Sequence, residues 1–176
     1  MNFTNEQKLI VALLCEIHQG LKIEGDLDSA LIADALWSDN TWALPWEYGF
    51  LLQQGETPTH VKHVVDTLDM WWFIELSYAQ LTPEEKADFA TVWEWEPKFP
   101  GFDGNEEGEY LSAARFLIDK LHRFTDFANR KDLNSHHPTV DRDRRMLERF
   151  EPMRKTLGDR DKRFLSVDDL KELFRR

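Results

Sequence analysis

Apolar residues recur along most of this chain at the three- and four-residue spacings of amphipathic helices, and no stretch alternates convincingly like a β-strand. Four apolar residues of the first segment fall on one helical face: Ile10, Leu14, Ile17 and Leu21. Thr4 and Gln7 precede that face with the spacing of a capping box, in which both side chains satisfy free backbone amides. The pattern predicts a helix that begins near residue 5 and ends between Gly20 and Gly25.

The longest predicted helix starts at Thr57 and Pro58, because threonine is a good N-cap and proline fits the first helical turn. Its apolar stripe consists of Val61, Val64, Val65, Leu68, Trp72, Leu76 and Ala79, widened by Trp71, Phe73 and Ile74. A helix that is apolar around most of its circumference packs against several neighbours. We therefore expect this helix to be buried on several sides.

The other segments also favour helices. Shorter ones are predicted at about 27–35, 37–55, 83–93 and 166–174. A long helix is predicted over about 106–127, with Asp103 or Asn105 as its cap. The helix before Gly158 contains Pro152, which should kink or break it. The chain is thus predicted to be all-α, a single compact domain of about seven helices over residues 1–176.

The composition is that of a globular protein without disulfide bridges. Apolar residues make up 41% of the chain, and Cys15 is its only cysteine. A single cysteine excludes an intramolecular disulfide and fits a reducing compartment, so we expect a cytoplasmic location. The first residues lack the features of a secretory signal, and no apolar run reaches the ~20 residues of a membrane span.

Charge and tryptophan are unevenly distributed. Residues 1–110 contain five lysines, no arginine and 21 acidic residues, whereas residues 111–176 contain 17 basic and 12 acidic ones. All seven tryptophans lie in the first part and all twelve arginines in the second. Arginine stacks on tryptophan and pairs with carboxylates, so the two parts should attract each other, within a chain or between subunits. The simpler interpretation of this uneven distribution is that the two parts form two faces of one solvated domain.

The stretch FDGNEEGEY, residues 102–110, is similar to the first half of a calcium-binding loop. Counted from Asp103, oxygen-bearing side chains and a glycine fall at positions 1, 3, 5 and 6, but position 12 is Ala114 instead of a bidentate glutamate. The segment is therefore interpreted as a structural loop before a helix. No metal or cofactor site is predicted.

Three residue pairs are weaker candidates for chemistry: His60 with His63 for a metal, His136 with His137 for proton transfer, and Cys15 with His18 for nucleophilic catalysis. The first pair lacks further ligands of suitable spacing. Cys15 lies among apolar residues, and small buried cysteines are common. A structural role is the simpler interpretation of each pair.

A basic segment, residues 142–163, holds nine basic against five acidic residues. Arg142, Arg145 and Arg149 share one helical face within it. Pairs of opposite charge at helical spacing neutralise much of this charge, so a solvated or subunit-facing surface is the simpler interpretation. Contact with phosphate or nucleic acid is the alternative, although the net charge of −11 disfavours it.

The sequence resembles the YfbU family, a group of uncharacterised bacterial proteins. The matching blocks are TNEQKLI, VVDTLDMW, SYAQL, FPGFDGNEEGEYLSAARFLI, RFTDF, NSHHPTVD, RMLERFEPMR and LSVDDLKELF. They cover most of the chain in order, and residues 22–46 match least. The resemblance implies an all-helical cytosolic protein, and it carries over no activity, cofactor or catalytic residue.

These observations predict a non-enzymatic, cytosolic helical interaction protein that self-associates, with other partners unspecified. One alternative is a nucleic-acid-associated regulator that uses the basic segment. Another is a small-molecule binder or enzyme with a pocket near Phe102, Asp103 and the 136–141 loop. The candidate interaction residues are Phe102, Asp103, Arg142, Arg145 and Arg149.

Overall fold

In the computed structural model, which describes residues 3–53, 55–130, 132–157 and 163–175, the chain is helical and no strand occurs in those ranges. The helices are α1 (Asn5–Gly20), α2 (Ser29–Trp37), α3 (Leu44–Glu47), α4 (Thr59–Gln80), α5 (Pro83–Phe89), α6 (Gly108–Arg115), α7 (Val140–Arg154) and α8 (Val167–Phe174). Short 3₁₀ segments lie at Thr41–Ala43 and Thr125–Phe127. The all-α prediction is confirmed.

The central element is α4, against which α6, α7 and α8 pack. Val61, Leu68, Trp71 and Ile74 of this helix are fully buried, as its wide apolar stripe predicts. α5 packs on α8, and α1 packs chiefly on α2. The core therefore forms around α4, and the α1–α2 pair is attached beside it.

Local capping fixes both ends of α1. The amide of Gln7 donates to Thr4 Oγ1 at 3.2 Å and the amide of Thr4 donates to Gln7 Oε1 at 3.0 Å, which confirms the predicted capping box. At the other end Lys22 adopts φ 52°, and the amide of Ile23 donates to the carbonyl of His18 at 3.1 Å. This is a Schellman motif in which lysine takes the place usually held by glycine.

The prediction of one helix over 106–127 is wrong in its extent. α6 is followed by a π-helical turn over Phe116–Lys120, and the chain then leaves the helix through His122 and Phe124, both with positive φ. Phe116, Leu117 and Ile118 are all buried. A regular α-helix would spread three consecutive side chains over more of its circumference, so the wider π turn brings them into the core together.

Further expectations about helix bounds need correction. The predicted 37–55 helix is reduced to the 3₁₀ turn at Thr41–Ala43 and the short α3, and α4 begins at Thr59 with Pro58, instead of Thr57, at its N-cap position.

No side-chain hydrogen bond caps α6, whose N-cap position is Glu107, so neither Asp103 nor Asn105 is its cap. Pro152 does not break α7 at its own position, because the helix continues to Arg154, and a kink at Pro152 stays a prediction. The predicted stop at Gly158 lies outside the described residues.

Candidate interaction surface

One side of α1 is an exposed apolar surface, here called the α1 face. It consists of Leu9 (62% exposed), Ile10 (57%), Leu13 (49%), Leu14 (58%) and Ile17 (55%), together with Leu21 (69%), the C-cap residue directly after the helix. An apolar stripe on a helix ordinarily faces the core of its own domain. Contiguous exposed apolar surfaces of this kind are characteristic of interaction sites.

The inner side of α1 is built from small residues. Ala12 and Cys15 are its buried positions, roughly opposite Ile10 and Ile17 around the helix. His18 fixes the same side, because its Nδ1 lies 3.1 Å from the hydroxyl oxygen of Ser29, the first residue of α2. Small side chains let α1 approach α2 closely, and this arrangement leaves the large apolar side chains outside.

The apolar surface continues from α1 onto α2. A cavity of about 210 Å³ between the two helices is lined by Asn5, Lys8, Leu9, Ala12, Leu36 and Trp37. Trp37 itself is 77% exposed. The α1 face is therefore bordered by an open groove with an aromatic edge.

Cys15 and His18 do not form a nucleophile–base pair. The imidazole of His18 contacts Ser29, and burial raises the pKa of the Cys15 thiol. A raised pKa reduces the thiolate population that nucleophilic catalysis requires. Cys15 is thus a small packing residue beneath α2.

Phe102 and Asp103 lie inside a junction of two loops. The Phe102 amide donates to the Leu133 carbonyl at 3.1 Å, and its own carbonyl accepts from the Ser135 amide at 3.2 Å. Asp103 is also buried, and its Oδ1 accepts from the amide of Asn105 at 3.2 Å. Both candidate residues therefore make internal structural contacts, and their role in binding stays a prediction.

Glu107 holds this junction to the start of α7. Its buried carboxylate accepts from the backbone amides of Thr139 and Val140, both at 2.7 Å, and from that of Asp103 at 3.0 Å. The Thr139 hydroxyl is within 3.1 Å of the same carboxylate and within 2.9 Å of the Gly101 carbonyl. A carboxylate at a helix N-terminus satisfies free amides and favours the positive end of the helix dipole.

The arginines of the basic segment are largely engaged within the chain. Arg149 donates to the carbonyls of Glu172 and Leu173, both at 3.2 Å, and so caps the C-terminal end of α8. Arg142 pairs with Asp143 at 2.9 Å and lies over the ring of Trp71. Arg145 is exposed, and residues 158–162 of the segment lie outside the described part of the chain.

The predicted attraction between the acidic, tryptophan-rich part and the arginine-rich part is realised inside one chain. Arg123 stacks on Trp46, and Arg130 forms a two-pronged pair with Glu75 at 2.6 and 2.8 Å. Arg154 pairs with Asp69 at 2.9 Å. These contacts support the fold, so self-association needs a different surface to explain it.

Asp143 is a fully buried acid in α7. Burial raises its pKa to about 6, and the charge and hydrogen bonds of Arg142 offset only part of that rise. The nearby Trp71 indole also favours the charged form of Asp143. Among the described residues, however, neither Trp71 Nε1 nor Asp143 Oδ2 has a hydrogen-bond partner. The ionised carboxylate is therefore poorly satisfied at neutral pH.

We expect Asp143→Asn to stabilise the protein at pH 7 by about 1–3 kcal/mol. The pKa of Asp143 is about two units higher in the folded protein than in the unfolded chain, so keeping this side chain ionised costs the folded state about 3 kcal/mol, and asparagine carries no charge. The Asp143 carboxyl group holds its proton more tightly in the folded protein than in the unfolded chain. The stability that Asp143 contributes is therefore complete below the unfolded pKa of 3.8 and is lost as the pH rises through about 6.

Urea denaturation at several pH values between about 4 and 7 tests this expectation. The variant should lose the part of the pH dependence between about 4 and 6 that Asp143 contributes, whereas Asp66 and Asp69, whose pKa values are also raised by burial, should keep theirs. Asp141→Asn is the matched control, because Asp141 lies on the same helix and is exposed, and its surface pair with Arg144 contributes less than about 1 kcal/mol. A variant less stable than the parent at pH 7 would contradict the assignment.

A larger and more polar cavity, of about 570 Å³, opens beside the loop junction. It is lined by Asp34, Trp37, Ser38, Asn40, Gly104, Gly108, Leu111, Ser112, Arg115, Phe116, Asp119 and Lys120. Its basic groups are already engaged, because Lys120 pairs with Asp34 at 2.6 Å and Arg115 donates to the Asp132 carbonyl at 2.9 Å. Gly104 is the only lining residue from the FDGN turn.

The candidate pair His60 and His63 occupies an ordinary structural position. His60 and His63 pack edge-on against Tyr110, and His63 Nε2 is 3.4 Å from the hydroxyl of Thr67. Burial, together with the charge of Arg144, lowers the pKa of His63. Within the described ranges no group of three or more acidic, histidine or cysteine residues is placed to hold a metal ion.

Among the residues that the structure describes, no helix combines the length and the apolar character that crossing a bilayer requires.

The fold and this surface together define an all-helical protein with an exposed apolar helix face. The chain belongs to the YfbU family, because the YfbU domain matches residues 1–175. The family resemblance found in the sequence blocks is thus confirmed. A curated relative, UPF0304 protein MJECS11 of Methanocaldococcus jannaschii, is 33% identical over 94 residues, which are 51% of this chain and 54% of the relative. The chain spans about half the length of that relative.

Sequence reasoning identified the apolar stripe of α1 but missed its exposure. The small residues Ala12 and Cys15 on the opposite side were the available signal, since they mark the side that approaches another helix closely. The role of Glu107 in holding α7 was also missed, because its partners on that helix, Thr139 and Val140, lie 32 and 33 residues away.

Proposed function

We propose that this protein is a non-enzymatic, cytosolic helical interaction protein that binds a second copy of itself through the α1 face. The supporting observation is the exposure of six large apolar side chains on one side of α1. Their burial on association would remove apolar surface from water, which is the main driving force for specific protein contacts.

The size of the α1 face fits a dimer interface. An aromatic side chain buries about 150–250 Å², and a leucine or isoleucine side chain is at the lower end of that range or slightly below it. Six half-exposed leucine and isoleucine side chains therefore present roughly 500 Å² of apolar surface. A standard interface covers about 800 Å² per partner, of which about 60% is apolar, or roughly 500 Å². The face therefore supplies the apolar part of one standard interface.

A second copy is the occupant that a self-complementary apolar face fits. The net charge of −11 opposes association of two copies in general. The α1 face is an area where they can approach without opposing like charges. A surface that contacts itself also needs no separate complementary patch, which suits a two-fold dimer.

We expect Leu14→Lys to shift the protein from dimer to monomer in native mass spectrometry and in size-exclusion chromatography with light scattering. Two lysines near the centre of the interface would repel each other, and each would have to lose its hydration. Leu51→Lys is the matched control, because Leu51 is 63% exposed, close to the 58% of Leu14, and lies outside α1. The control should remain a dimer.

Two results would contradict this proposal. One is an unmodified protein that stays monomeric at tens of micromolar. The other is a dimer that Leu51→Lys weakens as much as Leu14→Lys does. Circular dichroism of each variant should match that of the parent, because both substitutions are made at exposed positions.

The two alternative functions have less support. Nucleic-acid binding would need guanidinium groups that face solvent, and those of Arg142 and Arg149 are occupied by intramolecular partners. Arg145, which is exposed, keeps that alternative testable through salt-dependent binding and its loss in Arg145→Glu. A pocket at Phe102 and Asp103 would require their internal contacts to open.

A further inference from the structure

We infer that the two copies pair their α1 helices antiparallel about a two-fold axis, with Ile10 of one copy against Leu21 of the other and Leu14 against Ile17. This inference rests on the proposed self-association and adds its geometry. It follows from the spacing of the exposed side chains, the helix dipole and the position of Glu6.

The spacing of the α1 stripe is the same in both directions. Ile10, Leu14, Ile17 and Leu21 are separated by four, three and four residues. Reversing one helix therefore places each large side chain opposite another large side chain, with the axis between Leu14 and Ile17. The first and last of the four positions are eleven residue steps apart, or about 16 Å along the helix, which is most of the length of α1.

Two electrostatic effects favour the antiparallel over the parallel pairing. Parallel helices place equal ends of their dipoles side by side, whereas antiparallel helices place each positive end next to a negative end. Glu6 is exposed and lies four residues before Ile10, at the next position of the stripe. A parallel pair would set Glu6 directly against its own copy, and an antiparallel pair separates the two carboxylates by more than the length of the stripe.

The antiparallel arrangement also accounts for the groove beside the α1 face. Leu9 precedes Ile10 and lines the cavity that ends at Trp37. With Ile10 opposite Leu21, the C-terminal end of the second α1 lies next to Leu9 and beside this cavity. Association would then cover the groove together with the helix face.

Disulfide cross-linking of single-cysteine variants tests the register. Ile10→Cys and Leu21→Cys are each made in a Cys15→Ala background, and one of the two proteins is labelled with ¹⁵N so that mass spectrometry distinguishes the chains. Each variant alone, and an equilibrated mixture of both, is oxidised with diamide. In the antiparallel pair two copies of residue 10 lie about 16 Å apart, whereas a disulfide needs Cα atoms within about 7 Å.

We expect covalent dimers in the mixture, carrying one labelled and one unlabelled chain, and at least tenfold fewer in either variant alone. Efficient cross-linking of Ile10→Cys with itself would show a parallel pair and overturn the inference. So would the absence of cross-links in all three samples while native mass spectrometry shows non-covalent dimers. If the unmodified protein and the variants are monomers, the proposed self-association itself fails.

Discussion

Replacing Glu107 with alanine is expected to lower the free energy of unfolding by at least about 3 kcal/mol, because a buried carboxylate that accepts three backbone amides contributes about 1.5–3 kcal/mol per charge-assisted bond. The substitution leaves the amides of Asp103, Thr139 and Val140 without their partner. It also removes the negative charge at the positive end of α7. Glu107→Gln should be intermediate, since one amide oxygen can still accept while the NH₂ group opposes a backbone donor.

Chemical denaturation compared with Glu106→Ala provides the measurement and its control. Glu106 is the neighbouring residue and is exposed, so its removal should change stability by less than about 0.5 kcal/mol. A loss of about 3 kcal/mol corresponds to a fall in melting temperature of about 6–12 °C for a chain of this size. Similar stabilities of the two alanine variants would show that the amides find other partners and that Glu107 does not hold the junction.

Replacing Gly101 with alanine is expected to have the largest effect of all, a loss of more than about 4 kcal/mol or failure to fold. Gly101 has φ +90°, a conformation that side chains disfavour. A Cβ built there would lie 1.8 Å from the carbonyl oxygen of Leu133 and 2.3 Å from its carbonyl carbon. Both clashing atoms belong to the backbone. The clash can therefore be removed only if the loops that contain Gly101 and Leu133 separate and the hydrogen bonds of Phe102 break.

The yield of soluble protein and its thermal unfolding test this expectation. Gly25→Ala is the control, because a Cβ at Gly25 meets no atom within 4 Å. It should fold normally and match or slightly exceed the parent in stability. A Gly101→Ala protein as stable as the Gly25→Ala protein would mean that the 101–103 and 133–135 segments do not approach each other as described.

The parts of the fold that could be predicted from sequence are those fixed by neighbouring residues. The box formed by Thr4 and Gln7 joins residues three apart. The wide stripe of α4 likewise depends only on helical spacing. Such interactions are visible in a short window of sequence, and the structure confirms them.

The features that could not be predicted depend on which helices and loops pack against each other. The residues that decide this packing are far apart in the sequence. The π turn after α6 exists because Phe116, Leu117 and Ile118 enter one core together, while their sequence is equally compatible with a regular helix. The stripe of α1 has the same pattern whether it faces the core or solvent. Its exposure follows from the docking of Ala12 and Cys15 toward α2, which periodicity alone does not specify.

The distant cap of α7 has a consequence for the order of folding. α1, α5 and α8 each carry a capping box within their own first turn, so these turns can form early from local contacts. The first turn of α7 has no side-chain cap of its own, and its amides are satisfied by the carboxylate of Glu107, 32 residues earlier in the chain. Closing that long chain segment costs entropy before the bonds form. Residues 139–143 should therefore have low φ-values in folding kinetics and should exchange their amide hydrogens sooner than the centre of α4 does.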